Sequence, residues 1–142
     1  MTRTNPYVFM KPLEIFLVED NPGDVVLTRA ALAGYPTPVK LVVAKDGEEA
    51  LSMLSAPQFK PNLIILDLNM ARIDGHTVLE RNQQKDVPTV IFSSTQNGAE
   101  VERALSLGAR EFVKKPLSFQ SYADAIRGML DRWAAGAVHA RV

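Results

Sequence analysis

Five short apolar runs recur along the chain with amphipathic segments between them: Leu13 to Val18, Val39 to Ala44, Leu63 to Leu68, Thr89 to Ser93 and Glu111 to Val113. The run Leu63-Ile64-Ile65-Leu66 is continuously apolar rather than alternating, which is what a strand covered on both faces requires. Strands that alternate with helical segments at this spacing predict a parallel α/β sheet.

The intervening segments carry helix-start signals. Asp46-Gly47-Glu48-Glu49 and Asn97-Gly98-Ala99-Glu100 each place a capping side chain three residues before an acidic one, the spacing of a capping box. Asn21 before Pro22, Asp74 before Gly75, and Ser118 start the first, third and fifth helices, with Gly34 and Gly108 as stops. In the last helix Phe119, Tyr122, Ile126, Met129, Leu130 and Trp133 fall at helical spacing, which predicts a core-facing stripe.

With 142 residues the chain can bury one full core and is too short for two. It reads as one domain, 1–142, with a core over about 13–135, an N-terminal extension 1–12 and a C-terminal tail 136–142. Sixteen basic and sixteen acidic residues cancel, so no electrostatic capture of nucleic acid or of an anionic membrane is expected. The absence of cysteine excludes disulfides, thiolate catalysis and zinc–thiolate sites and accords with a reducing cytosol. No apolar stretch approaches the roughly 18 residues of a membrane span, and Met1 to Pro12 lacks the pattern of a signal peptide. A cytoplasmic protein is the expectation.

In a parallel sheet, ligands gather at the carboxyl ends of the strands. Those ends bring together Glu19 and Asp20, Asp67, Ser93 with Ser94, and Lys114-Lys115. Clustered carboxylates repel one another unless a cation sits among them or one takes a proton. An all-oxygen set without cysteine or paired histidine suits magnesium better than zinc. A metal, an ammonium and a hydroxyl together can hold the oxygens of a phosphoryl group, and phosphoryl transfer needs mainly that positioning and neutralisation. Asp67 could then act as a nucleophile, giving an acyl phosphate. His76 and His139 are too far apart to suggest a metal motif, and His76 is expected to be exposed on the third helix. Lys114 is expected at the surface. No glycine-rich phosphate loop occurs.

From Leu13 to about Ala135 the chain resembles the CheY-like receiver domain of two-component response regulators. The motifs match in order: Glu19-Asp20, Ile64-Ile65-Leu66-Asp67-Leu68-Asn69-Met70 with Asp74-Gly75, Phe92-Ser93-Ser94, Leu107-Gly108-Ala109, and Phe112-Val113-Lys114-Lys115-Pro116. Val18-Glu19-Asp20-Asn21-Pro22-Gly23-Asp24 is similar to single-domain regulators partnered with phytochrome kinases. The resemblance implies a five-stranded parallel sheet of the (βα)5 flavodoxin-like type, strand order 2-1-3-4-5, with helices on both faces. It also implies a switch that takes a phosphoryl group from a sensor histidine kinase, catalysing only its own phosphorylation and dephosphorylation.

Carried over by motif, Asp67 is the phosphoacceptor. Magnesium is held by Asp20, Asp67 and the backbone carbonyl of Asn69, with Glu19 acting through water. Ser93 is the switch hydroxyl, Lys115 the phosphoryl-binding lysine and Phe112 the switch aromatic, while Ser94 and a cis peptide at Pro116 support the site. Three residues depart from the family pattern: Ser93 replaces threonine, Phe112 replaces tyrosine, and Ala71 stands where many members have proline. Output is expected through a homodimer on the face of the fourth helix, fifth strand and fifth helix, with Trp133 and Tyr7-Val8-Phe9-Met10 as leftover apolar residues.

Three other readings compete. A phosphate sink or relay intermediate keeps the chemistry and changes the role. A degenerate receiver would serve as a constitutive interaction module. A haloacid-dehalogenase-type phosphatase also uses an aspartate nucleophile, but its second aspartate is replaced here by Asn69.

Overall fold

The computed structural model describes residues 11–134. The strands are β1 (Leu13–Val18), β2 (Val39–Ala44), β3 (Leu63–Leu66), β4 (Thr89–Ser93) and β5 (Glu111–Lys114). They alternate with the helices α1 (Pro22–Ala33), α2 (Gly47–Leu54), α3 (Gly75–Arg81), α4 (Gly98–Ser106) and α5 (Phe119–Trp133). All strand pairs are parallel and the order is β2-β1-β3-β4-β5. The third strand stops at Leu66 rather than Leu68, because the Leu68 carbonyl turns inward to accept from the Met70 and Gly75 N–H groups.

Period-two side-chain alternation divides the core. Ile15 and Leu17 of β1, Leu63 and Ile65 of β3, and Val90 and Phe92 of β4 face α1 and α5. Phe16, Val18, Ile64, Leu66 and Ile91 face residues of α2, α3 and α4. Both faces of β3 are therefore sealed, which accounts for its unbroken apolar sequence. Each fully buried large side chain contributes about 1.5–3 kcal/mol relative to exposure.

The predicted caps form. Oδ1 of Asn21 accepts from the Gly23 N–H at 2.9 Å, Asp46 from Glu49 at 2.8 Å, Asp74 from Thr77 at 2.9 Å, Asn97 from Glu100 at 2.9 Å and Ser118 from Ser121 at 3.2 Å. Gly108 ends α4 with φ at +107°, a left-handed geometry suited to glycine.

Two expectations about burial need correction. His76 is only 6% exposed, because it lies on the face of α3 that meets α4, with Nε2 3.4 Å from the Glu100 carbonyl. In α5 the stripe is Tyr122, Ala123, Ile126, Met129 and Leu130. Phe119, at the first helical position, is 48% exposed. Trp133 is half-buried, packs on the core edge and donates its indole N–H to Glu111 Oε1 at 3.0 Å. Tyr7 to Met10 lie outside the described residues. Among those residues, no helix is long and apolar enough to cross a membrane.

Candidate functional site

The sheet register builds the site. Val18 lies beside Ala44 on one side and Leu66 on the other, and Ser93 pairs with Lys114. Beyond those pairs, Glu19 N–H donates to the Ala44 carbonyl at 3.0 Å, Asp67 N–H to Val18 at 3.1 Å and Lys115 N–H to Ser93 at 2.7 Å. Glu19, Asp67 and Lys115 are thus each held by the backbone one step past a strand end.

Carboxylate oxygens of Glu19, Asp20 and Asp67 lie within 4.8 Å of one another. Glu19 and Asp67 are buried and Asp20 is exposed, so the cluster opens to solvent on one side. Burial pushes the Glu19 carboxyl up to about 7; the Lys115 bond opposes this and the neighbouring Asp67 charge adds to it. A carboxylate that strains against ionisation beside two others is a site short of positive charge. The donor set is all oxygen, which fits a hard divalent cation such as Mg2+ or Mn2+.

Lys115 supplies the one ammonium in contact with the cluster among the described residues. Its Nζ donates to Glu19 Oε1 at 2.6 Å and to Asp24 Oδ2 at 2.9 Å, and lies 3.7 Å from Asp67 Oδ2. Burial works against its charge, but the bonds to Glu19 and Asp24 outweigh this and raise its pKa.

Ser93 is fully buried, and its Oγ accepts from Asn69 Nδ2 at 3.2 Å and from the Thr95 N–H at 3.4 Å. Asn69 Nδ2 also reaches Thr95 Oγ1 at 3.2 Å, and the Asn69 N–H donates to Asp67 Oδ1 at 3.1 Å. Phe112 is half-buried against the core that α2, α3 and α4 cover. Ser94 is exposed and lines a cleft of about 540 Å³ with Asp24, Lys115, Pro116 and Tyr122. Lys114 is exposed.

The expected cis peptide at Pro116 is corrected: no cis bond occurs among the described residues, and Lys115–Pro116 takes the trans form that even X–Pro bonds favour. After Asp67, where Ala71 replaces proline, the backbone turns through a left-handed Arg72 with φ at 65°, a conformation costing about 1–2 kcal/mol for a side-chain-bearing residue.

Sequence reasoning missed three participants. Asp24 in the first turn of α1 has the ordinary appearance of a helix-dipole acid. The motif implies a role for Asn69 only through its backbone carbonyl and not through its side chain, and Thr95 lies just outside the Phe92-Ser93-Ser94 motif. The run Glu19 to Asp24 was the available signal for the first.

The family model of the response regulator receiver domain matches residues 15–127. Among curated relatives, the probable transcriptional regulator ycf27 of Porphyridium aerugineum is 32% identical over 126 residues, covering 87% of this chain and 50% of its own length. The chain spans half or less of the length of the first such relatives it matches. Among solved structures, the phosphorylated cyanobacterial phytochrome response regulator RcpA aligns with a TM-score of 0.80 at 30% identity, covering 87% of this chain and 94% of that one. The Mn2+-bound form of response regulator Rcp1 aligns with a TM-score of 0.77 at 27% identity, covering 84% and 93%.

Proposed function

The chain belongs to the response regulator receiver domain family, and from that premise we propose that Asp67 accepts a phosphoryl group from the phosphohistidine of a sensor histidine kinase. A carboxylate oxygen of Asp67 attacks phosphorus as the nitrogen–phosphorus bond breaks. The imidazole leaves with the bonding pair, and an acyl phosphate forms. The observation that carries this reading is the contact set of Glu19, Asp20, Asp67 and Lys115 at the carboxyl ends of β1, β3 and β5.

The residues divide the task. Asp20, Asp67 and the Asn69 carbonyl, with Glu19 through water, would hold Mg2+, and that ion, when bound, would neutralise charge on the phosphoryl oxygens. Lys115 supplies a second cation, and Ser93 a hydroxyl already aimed at the loop after Asp67. The backbone N–H of Asn69 keeps Asp67 oriented. The domain catalyses its own modification and turns over no external substrate. The phosphatase alternative has no support, since Asn69 serves as a hydrogen-bond donor to Ser93 and Thr95 where that class needs an acid.

Phosphorylation adds about 1.5–2 negative charges. New bonds from Ser93 and Lys115 would draw the loops after β4 and β5 toward Asp67, with Phe112 turning inward. We read the domain as a conformational switch rather than a passive phosphate sink, with the bond between Ser93 and Asn69 as the link from the Asp67 loop to β4. We place output on the face of α4, β5 and α5, through a homodimer. Support comes from Leu105 of α4 at 46% exposure and from half-buried Phe112 and Val113 on the edge strand. A monomer in sedimentation, with and without phosphorylation, removes the dimer. A single-domain cytoplasmic regulator is the corresponding proposal, and the likeness to the phytochrome response regulator RcpA supports a phytochrome-type kinase as its partner.

The test is incubation with a phosphorylated histidine kinase and Mg2+, followed by assay for a hydroxylamine-labile phosphoryl group. Persistence of the label in Asp67→Asn overturns the assignment.

A further inference from the structure

The ammonium of Lys115 is bonded away from the residue it is expected to serve. Its two short contacts are Glu19 at 2.6 Å and Asp24 at 2.9 Å, while Asp67 at 3.7 Å lies beyond hydrogen-bond length. We propose that Asp24 is a positioning residue that competes with a phosphoryl group on Asp67 for Lys115, and so sets how firmly the phosphorylated state is held. The proposal rests on the receiver reading above.

Four observations support it. Among the described residues, Lys115 is the one hydrogen-bond partner of the Asp24 carboxylate. The side chains are 9% and 19% exposed, so solvent and salt screen this pair far less than a surface pair. The backbone of the lysine is tied to the end of β4, because its N–H donates to the Ser93 carbonyl at 2.7 Å; the side chain can therefore trade Asp24 for a phosphoryl oxygen without breaking that bond. The attachment of α1 to α5 does not use the Asp24 carboxylate. It runs through apolar packing, through Tyr122 Oη, which donates to the Asp24 backbone carbonyl at 3.3 Å and lies 3.3 Å from Thr28 Oγ1, and through Arg127 Nε, which donates to the Ala31 carbonyl at 2.9 Å.

Charge gives the direction. Around one ammonium stand Glu19, Asp24 and Asp67, with Asp20 beside them. A phosphoryl group adds further negative charge to the same space. Removing Asp24 both frees a donor of Lys115 and takes away a nearby like charge. The phosphorylated form should gain.

The test uses the full chain with beryllofluoride, a stand-in for the phosphoryl group, at saturating Mg2+. Asp24→Asn should bind it about five- to ten-fold more tightly than wild type, the size expected from releasing one partly screened charge-assisted bond. Asp24→Glu should return to the wild-type affinity. In a Lys115→Met background, Asp24→Asn should change affinity by less than about two-fold, since coupling vanishes when the shared partner is gone. A merely structural role for Asp24 predicts equal or weaker binding, and that result overturns the proposal, as does a gain that persists without Lys115. If Asp24→Asn does not fold, the comparison is made with Asp24→Ser, with the same expectation. Wild type that binds beryllofluoride while Asp24→Asn shows no gain defeats the competition alone. Wild type that neither binds it nor takes phosphoryl from a kinase defeats the receiver reading itself.

Discussion

The side-chain amide of Asn69 donates to Oγ of Ser93 over 3.2 Å, so the loop after β3 is tied to the tip of β4 before any phosphoryl group arrives. Ser93 is fully buried, and a buried hydroxyl without a partner is costly. The Asn69 bond holds Ser93 ready while satisfying it.

Replacing Ser93 by alanine separates chemistry from response. Ser93→Ala should still be labelled on Asp67 by a phosphorylated kinase. Its stability should fall by about 1 kcal/mol for the lost hydrogen bonds. Phosphorylation of the wild type should change hydrogen exchange in the segment after β4, and in Ser93→Ala that change should largely disappear. Equal exchange changes in the two proteins would remove Ser93 from the switch.

Asp67→Asn removes one of three clustered carboxylates. Without divalent metal it should melt higher than wild type, because like-charge repulsion within the cluster is relieved. Adding Mg2+ should reverse the order, since at a hundred times its dissociation constant a ligand of the native state stabilises by about 2.7 kcal/mol, and the variant has lost a ligand. Thermal melts of both proteins with Mg2+ and with a chelator check this.

Asp74 caps α3 by accepting from the Thr77 N–H at 2.9 Å and Thr77 Oγ1 at 3.1 Å. The backbone bond from Thr77 is the main reason its carboxyl sits below the ordinary value of 3.8. A native pKa below the unfolded one means the stabilisation is complete above 3.8 and is lost as pH falls through the lowered native value. Asp74→Ala should therefore cost about 1 kcal/mol at neutral pH. The gap in urea midpoints should close in acid; a gap that stays constant there would mean the carboxylate is not the cap.

Gly75 is placed by contact with the site itself. A Cβ there would lie 2.6 Å from the Asp67 carbonyl oxygen and 2.8 Å from Leu68 Cα, both backbone atoms that cannot rotate aside. Gly75→Ala should cost about 1–3 kcal/mol through overpacking and slow labelling of Asp67 by displacing its strand end. Urea denaturation together with the labelling rate tests this, and an unchanged labelling rate would show that the loop yields elsewhere.

Much of the fold was legible because its signals are local. Asn21, Asp46, Asp74, Asn97 and Ser118 each cap a helix, and capping is decided within three residues of chain. Glu19, Asp67, Ser93 and Lys115 were legible as site residues because each follows an apolar run, and parallel strands end on one edge. His76 was misread because a lone histidine carries no periodic signal. Its burial depends on α4 lying against α3, a contact between segments that local pattern does not specify.

By itself, the sequence determined the five strands and five helices, the caps that start the helices, and the acids, hydroxyl and lysine available at the strand ends. Short apolar runs and capping chemistry are properties of a few adjacent residues, so they survive without knowledge of the rest of the chain. Tertiary structure decided which of those groups touch. Lys115 chose Glu19 and Asp24, 96 and 91 residues away, and Asn69 chose Ser93, 24 residues away. Such choices depend on ångström distances and on how much water the packed helices exclude, since only in a desolvated space is a charged side chain forced to find its partner within the protein.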